Sequence, residues 1–332
     1  MSQVKPKVFL PGGLASLCTE YKKLRDIVNS QIEVVSDEDL VSNPGIGTEI
    51  TAALFYVHDP LKLQVFNRKE EGLLPALHLV CNNGVGVDHM PFSRMKQLGL
   101  RLTNTPGVLS DATADMAMAL MLASGRQLGT GLEWAMTKTL QEKNQLFISL
   151  HLGQEISFST LGIVGMGSIG MKIAQRAKAF NMTILYHNRN QRADEAAVGA
   201  KYYSDLLEML PLCDFVIISC PLTAETKSLF TSQHFDIMKP TCHLINVARG
   251  AVVHTESLVD ALKSKKIAAA GLDVTDPEPL PHDHPLLQLE NVLVTPHWAT
   301  ATVQTRGKML QLSIDNIKAF VEGKPLLSEV HI

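Results

Sequence analysis

The sequence predicts an α/β protein built from two doubly wound parallel sheets. Three observations carry this. Short apolar runs alternate with helical patterns, first over the opening hundred residues and again from Thr160 onward. One run leads directly into a glycine-rich turn, Gly165-Met166-Gly167-Ser168-Ile169-Gly170. The length, 332 residues, suits two domains. Parallel strands need a crossover between them, and helical crossovers cover both sheet faces, so strands read as continuous apolar runs.

In the first half the candidate strands are Val8–Leu10, Glu33–Val35, Ala52–Val57, Leu77–Cys81 and Leu100–Leu102. Leu14, Leu17, Tyr21, Leu24, Ile27 and Val28 recur at a helical period. Asn104-Thr105-Pro106-Gly107 has turn chemistry. Asp111 to about Gln127 is apolar nearly all round, which predicts a helix buried against other protein. Met116, Met118 and Met121 in it read as packing rather than metal ligands. The second alternation offers strands at Leu161–Val164, Thr183–Tyr186, Phe215–Ser219, His243–Val247, Ala269–Asp273 and Val292–Thr295, and a last helix over Gln304–Val321. Gly323 and Pro325 close that helix.

Composition narrows the function classes. The hydrophobic fraction is 45% and the charged fraction 19%, ordinary for a globular core. A net charge of −3 gives no bias toward nucleic acid or an anionic membrane. Five cysteines, Cys18, Cys81, Cys213, Cys220 and Cys242, lack CxxC spacing and point to a reducing compartment, most simply the cytoplasm. No signal peptide or membrane span is expected from the sequence. His282 and His284 flank Asp283, but in a proline-rich surface loop, so no metal site is expected.

The glycine turn carries the first chemistry. Gly165 allows the tight turn, Gly167 the approach of a pyrophosphate, and Gly170 close packing of helix on strand. A helix follows, predicted over Met171 to Phe180, and its N-terminus presents N–H groups to phosphate. Sites that bind the unphosphorylated dinucleotide place an acid after the second strand, for the ribose 2′-OH. Here Asn188 stands at about that position, with Arg189 next and Arg192 near. Loss of the carboxylate and gain of guanidinium suit a 2′-phosphate, so NADP(H) is expected in preference to NAD(H).

Three polar residues follow later candidate strands: Arg249 after Val247-Ala248, Glu278 between Pro277 and Pro279, and His297 after Thr295-Pro296. Ligands of doubly wound sheets bind outside the carboxyl ends of strands, so these three read as the residues of a reductase site.

Gly-Met-Gly-Ser-Ile-Gly, Asn246-Val247-Ala248-Arg249-Gly250, Gly271-Leu272-Asp273-Val274-Thr275-Asp276-Pro277-Glu278-Pro279-Leu280 and Thr295-Pro296-His297-Trp298-Ala299-Thr300 stand in this order along the chain. Together they resemble the D-isomer-specific 2-hydroxyacid dehydrogenases, and Gly271–Leu287 with Asn83–His89 most resembles the glyoxylate/hydroxypyruvate reductase branch. The resemblance implies a flavodoxin-like substrate domain, residues 1–105 and 301–332, with a Rossmann dinucleotide-binding domain, residues 106–300, inserted into it and a cleft between the two. It implies His297 as general acid, Glu278 on the other ring nitrogen, and Arg249 on the carboxylate and carbonyl of a small 2-keto acid. Val85 and Gly86 would add N–H donors to that carboxylate. Thr113, Cys220, Pro221, Val247, Ala248 and Asp273 would line the cofactor beside the glycine turn. A homodimer through the cofactor domain is implied as well, with Asp111–Gln127 at its interface.

Two departures stand out. Ser168 replaces an arginine common beside the pyrophosphate, and Gln141–Ser159 lacks the Gly-x-Trp element of close relatives. The expected activity is NADPH-dependent reduction of glyoxylate, hydroxypyruvate or a sugar acid such as 2-ketogluconate. The alternatives are a non-enzymatic, dinucleotide-sensing corepressor and an NAD-linked dehydrogenase of serine metabolism. The acid-free His187–Arg192 segment disfavours the last.

Overall fold

Strand β1 (Lys7–Phe9) opens the chain in a computed structural model that describes residues 5–13, 22–56, 63–137 and 152–332. Helix α1 (Lys22–Gln31), β2 (Glu33–Val35), α2 (Asp37–Ser42), β3 (Ala52–Tyr56), α3 (Gln64–Glu70), β4 (Leu79–Asn83), α4 (Phe92–Gln97) and β5 (Arg101–Thr103) follow. The helix expected from Leu14 has only its later part among the described residues, and it runs on to Gln31 through polar positions. The strand expected at Leu100 begins one residue later, because Leu100 N closes a turn onto Met95 O at 2.9 Å. Helix α2 starts where Ser36 and Asp39 form a reciprocal capping box.

The long helix α5 (Ser110–Gly125) and α6 (Leu128–Thr137) come next, then β6 (Thr160–Val164), α7 (Ser168–Ala179), β7 (Thr183–His187) and β8 (Lys201–Tyr203). After them come α8 (Leu206–Met209), β9 (Phe215–Ile218), α9 (Ser232–Ile237), β10 (His243–Asn246), α10 (Thr255–Lys263), β11 (Ala269–Leu272) and β12 (Val292–Val294). The chain ends with α11 (Val303–Val321) and β13 (Glu329–Val330). Helix α7 begins at Ser168, inside the glycine motif, so Gly170 is already helical.

The chain divides into two units, Met1–Leu109 with Thr300–Ile332, and Ser110–Ala299. In the first, the strand order is β13-β5-β4-β3-β1-β2, parallel except for β13, which pairs antiparallel with β5. In the second, seven parallel strands run β12-β11-β10-β9-β6-β7-β8. Both are doubly wound orders; the strand sequence reverses between β1 and β3 in one and between β6 and β9 in the other.

Each sheet buries both faces, as alternating side chains require. In the first unit Phe9, Phe55, Val80 and Leu102 pack on one face. Val8, Leu54, Leu79 and Cys81 pack on the other, beneath Leu24 and Val28 of α1 and Leu310, Ile314 and Ile317 of α11. In the second unit Leu161, Ile163, Phe215 and Ile245 meet α5 and α7, while Val216, Ile218, Leu244 and Leu272 meet the opposite layer. Asp111 and Asp115 of α5 ion-pair with Arg176 of α7 at 3.1 and 2.7 Å. Helix α6 differs: Leu128, Leu132 and Met136, four residues apart, are all exposed. Among the described residues no helix is long and apolar enough to cross a membrane. Most of the divergent segment around Gln141 lies outside the described residues.

Candidate active site

Strand β6 delivers the chain into the glycine turn. Gly165 has φ +94, and a Cβ there would stand 2.4 Å from Cys220 N. Only glycine lets this turn cross the segment after β9 so closely. At Gly170 a Cβ would lie 2.6 Å from Gly165 O, so helix α7 can approach its strand. At Gly167 a Cβ would meet nothing within 4 Å. Gly167 is also the N-cap of α7, with no side chain capping it. The first-turn N–H groups, at Ser168, Ile169 and Gly170, therefore stand at the positive end of a 12-residue helix. An open backbone shelf at that helix end fits the pyrophosphate of a dinucleotide.

Asn188 follows β7 directly and clasps Met166. Met166 N donates to Asn188 Oδ1 at 2.7 Å, and Asn188 Nδ2 donates to Met166 O at 3.3 Å. Arg192 Nη1 donates to the same carbonyl at 3.2 Å. Arg189 is exposed. Cys220 is buried against the glycine turn, and that burial pushes its thiol up to about 11. Pro221 O accepts from Thr226 Oγ1 at 2.7 Å. Thr113 is buried within α5.

Arg249 opens the turn after β10, and buried Asn246 shapes that turn. Ala248 N donates to Asn246 Oδ1 at 3.0 Å, and Asn246 Nδ2 donates to Arg249 O at 2.9 Å. Arg249 Nη1 reaches back to Ala248 O at 2.9 Å. Val247 and Ala248 are buried beneath. At Gly250 a Cβ would fall 1.9 Å from the carbonyl carbon of Thr275. The arginine turn is thereby seated on the loop that carries Glu278.

Asp273, just past β11, is buried and anchors the histidine turn. Its Oδ1 accepts from Thr295 Oγ1 at 2.7 Å and Trp298 N at 2.8 Å, its Oδ2 from Ala299 N at 2.9 Å, and its carbonyl from His297 N at 2.9 Å. His297 has φ +55, an uncommon backbone for a residue with a side chain, and these bonds hold it there. The imidazole Nδ1 lies 2.8 Å from Glu278 Oε1, and Glu278 Oε2 accepts from Thr275 N at 3.3 Å. Sequence reasoning gave Asp273 only a place beside the cofactor; its four bonds to the 295–299 turn join residues far apart in the chain.

Val85 and Gly86 lie in the other unit, in the turn after β4. Asn82 Nδ2 donates to Gly84 O at 3.1 Å and Gly86 O at 3.0 Å, Thr105 N to Gly84 O at 3.0 Å, and Asn104 Nδ2 to Val85 O at 2.9 Å. Across a trans peptide the N–H points opposite the carbonyl. Tying back the carbonyls of Gly84 and Val85 turns the N–H groups of Val85 and Gly86 away from Asn82 and Asn104. Sequence reasoning read Asn104 only as part of a turn and did not single out Asn82.

A pocket of about 550 Å³, lined among others by Ser124, His243, Glu290 and Leu293, opens where β10, β11 and β12 begin. It is at the opposite end of the strands from Arg249 and His297. Among the described residues no group of three or more His, Cys, Asp or Glu is placed to hold a metal ion. His284 caps a short turn instead, accepting from Leu286 N at 3.2 Å.

Known proteins are similar to this chain over most of its length. Residues 118–299 match the family model for "D-isomer specific 2-hydroxyacid dehydrogenase, NAD binding domain". Mouse glyoxylate reductase/hydroxypyruvate reductase is 36% identical over 331 residues, covering 98% of each chain. Glyoxylate reductase of Thermococcus onnurineus is 36% identical, covering 97% of this chain and 94% of its own. Among solved structures, an NADPH-dependent glyoxylate/hydroxypyruvate reductase from Sinorhizobium meliloti, in complex with NADP and malonate, is 30% identical with a TM-score of 0.78, covering 98% of this chain and 97% of its own. With a family model over more than half of its length and relatives spanning nearly the whole sequence, the chain belongs to the D-isomer-specific 2-hydroxyacid dehydrogenase family, in its glyoxylate reductase branch.

Proposed function

We propose that the chain reduces small 2-keto acids, glyoxylate, hydroxypyruvate or sugar acids such as 2-ketogluconate, to D-2-hydroxy acids, with NADP(H) preferred to NAD(H). The observation that carries this reading is the 2.8 Å contact of His297 Nδ1 with Glu278 Oε1, in the same sheet and at the same strand ends as the glycine turn. Bound NADPH supplies the hydride. Glu278 accepts from Nδ1–H, which leaves Nε2 as the nitrogen that gives a proton to the keto oxygen. Arg249 binds the substrate carboxylate and draws charge toward the carbonyl oxygen. Val85 and Gly86 add N–H donors to the carboxylate. Asn188, Arg189 and Arg192 form the rim that takes the 2′-phosphate, and the remaining cofactor contacts are Thr113, Cys220, Pro221, Val247, Ala248 and Asp273.

The protein works as a homodimer through the cofactor unit. The exposed stripe of Leu128, Leu132 and Met136 on α6 supports this, since such a face is ordinarily covered. The four described cysteines are free and buried, which supports a cytoplasmic setting.

The test follows NADPH and NADH oxidation with a panel of 2-keto acids, beside sedimentation equilibrium. His297→Ala is expected to lower kcat by about 10²–10⁴-fold. Full activity in that variant would remove His297 from the mechanism.

A further inference from the structure

Asp194 lies two residues beyond Arg192 and holds it in a planar fork. Arg192 Nε donates to Asp194 Oδ1 and Arg192 Nη2 to Asp194 Oδ2, both at 2.7 Å. Nη1 is turned to Met166 O at 3.2 Å. Each of the three guanidinium nitrogens thus has a partner. The segment is pinned from below as well. Arg192 N donates to the hydroxyl of buried Tyr186 at 2.8 Å. That hydroxyl donates to Glu195 Oε2 at 2.5 Å, and Glu195 Oε1 accepts from Gln191 Nε2 at 2.7 Å. The Arg192–Asp194 pair is therefore set beside the glycine turn by the fold.

We infer that Asp194 is a specificity-determining residue, an internal carboxylate that occupies the Arg192 fork and so competes with the 2′-phosphate of NADP(H) for it. The inference rests on the proposed reading of residues 188–192 as the phosphate rim. Carboxylate and phosphate both match guanidinium in the same two-bond geometry, so they exclude one another there. Asp194 also offsets the charge of Arg192, which weakens that residue's share of the rim's attraction for a dianion. Phosphate selectivity then comes mainly from Arg189 and from the lack of an acid at Asn188. Both partners are accessible to solvent, 32% for Arg192 and 55% for Asp194, so the exchange is modest and sensitive to salt.

The test is calorimetric titration of 5′-AMP and 2′,5′-ADP into wild type, Asp194→Asn, Arg192→Ala and the double variant, at low and physiological salt. In Asp194→Asn the affinity ratio of 2′,5′-ADP to 5′-AMP is expected to rise about two- to five-fold, the equivalent of one exposed ion pair. Adding Asp194→Asn to Arg192→Ala is expected to leave the ratio where Arg192→Ala puts it. An unchanged or lower ratio in Asp194→Asn overturns the competition. So does a rise that survives Arg192→Ala, because the carboxylate then acts on the phosphate as a bare charge. A weaker 5′-AMP affinity in Asp194→Asn, with no gain for 2′,5′-ADP, would make Asp194 a ribose ligand and also overturn it. If wild type shows no preference for 2′,5′-ADP while Asp194→Asn gains one, the NADP(H) reading fails and the role of Asp194 stands.

Discussion

Glu278 Oε1 and His297 Nδ1 are 2.8 Å apart, and the two residues reach one another from loops after different strands, β11 and β12. The carboxylate fixes the ring through Nδ1 and leaves Nε2 for chemistry. Glu278→Gln keeps the shape and removes the charge. The bond that orients the ring weakens with the charge, so kcat should fall about ten-fold while the KM for NADPH stays near wild type. A kcat equal to wild type would show that the pair has no part in positioning the ring.

Asp273 has a different task from Glu278. It fixes the backbone from which His297 projects, through Thr295, Trp298 and Ala299. Asp273→Asn leaves one oxygen where two accept now, so at least one buried N–H or O–H loses its partner. The urea midpoint should fall by the equivalent of about 1–3 kcal/mol, and kcat should fall with it. A midpoint equal to wild type would mean that the turn holds without the carboxylate.

Asn104 donates to Val85 O at 2.9 Å, and through that bond aims Gly86 N–H. Asn104→Ala frees the carbonyl. The KM for the keto acid should rise about ten-fold, the equivalent of one lost hydrogen bond, while the KM for NADPH stays near wild type. Equal effects on both constants would point to general disruption instead.

His243 gives a pH dependence of stability. It is buried at the start of β10, stacked on Phe215 with ring centroids 5.1 Å apart, and its Nδ1 meets Ser124 Oγ at 2.7 Å. Burial lowers its pKa from 6.5 to about 4. The unfolded chain therefore takes up the proton first. Stability is complete above about pH 6.5 and declines as pH falls toward 4, by up to about 3 kcal/mol. Urea unfolding of wild type and His243→Phe at pH 7 and pH 5 checks this: the drop should be smaller in the variant, and equal drops would assign it to other groups.

Legibility followed local pattern. The buried strands β3, β6 and β9 are apolar runs, so composition alone marks them, whereas β4 starts two residues after its expected run and ends on buried Asn82 and Asn83. Strands β8 and β13 stayed hidden, because edge strands of three and two residues, Lys201–Tyr203 and Glu329–Val330, carry charge and no period. Helices α2, α3 and α4 are six or seven residues long, too short for periodicity to register. At the site, Arg249, Glu278 and His297 announce themselves by position after apolar runs. What the sequence cannot display is the bonding between segments: Gly250 against Thr275, Asp273 on the 295–299 turn, Asn82 and Asn104 under the Val85–Gly86 loop. Arg192 is the instructive case, since a basic residue reads as an anion ligand until its partner Asp194 is seen.

The return of the chain to its first sheet has a consequence for biosynthesis. All of Ser110–Ala299 is translated before α11 and β13 emerge. Until then β5 is a bare edge, able to pair with any strand it meets, and Val8, Leu54, Leu79 and Cys81 lack the cover of Leu310, Ile314 and Ile317. The inserted unit, contiguous in sequence, can complete its own core meanwhile. A nascent chain that has emerged from the ribosome only as far as Ala299 therefore carries a finished dinucleotide fold and a sticky, half-roofed first sheet, the kind of species that chaperones hold and proteases remove.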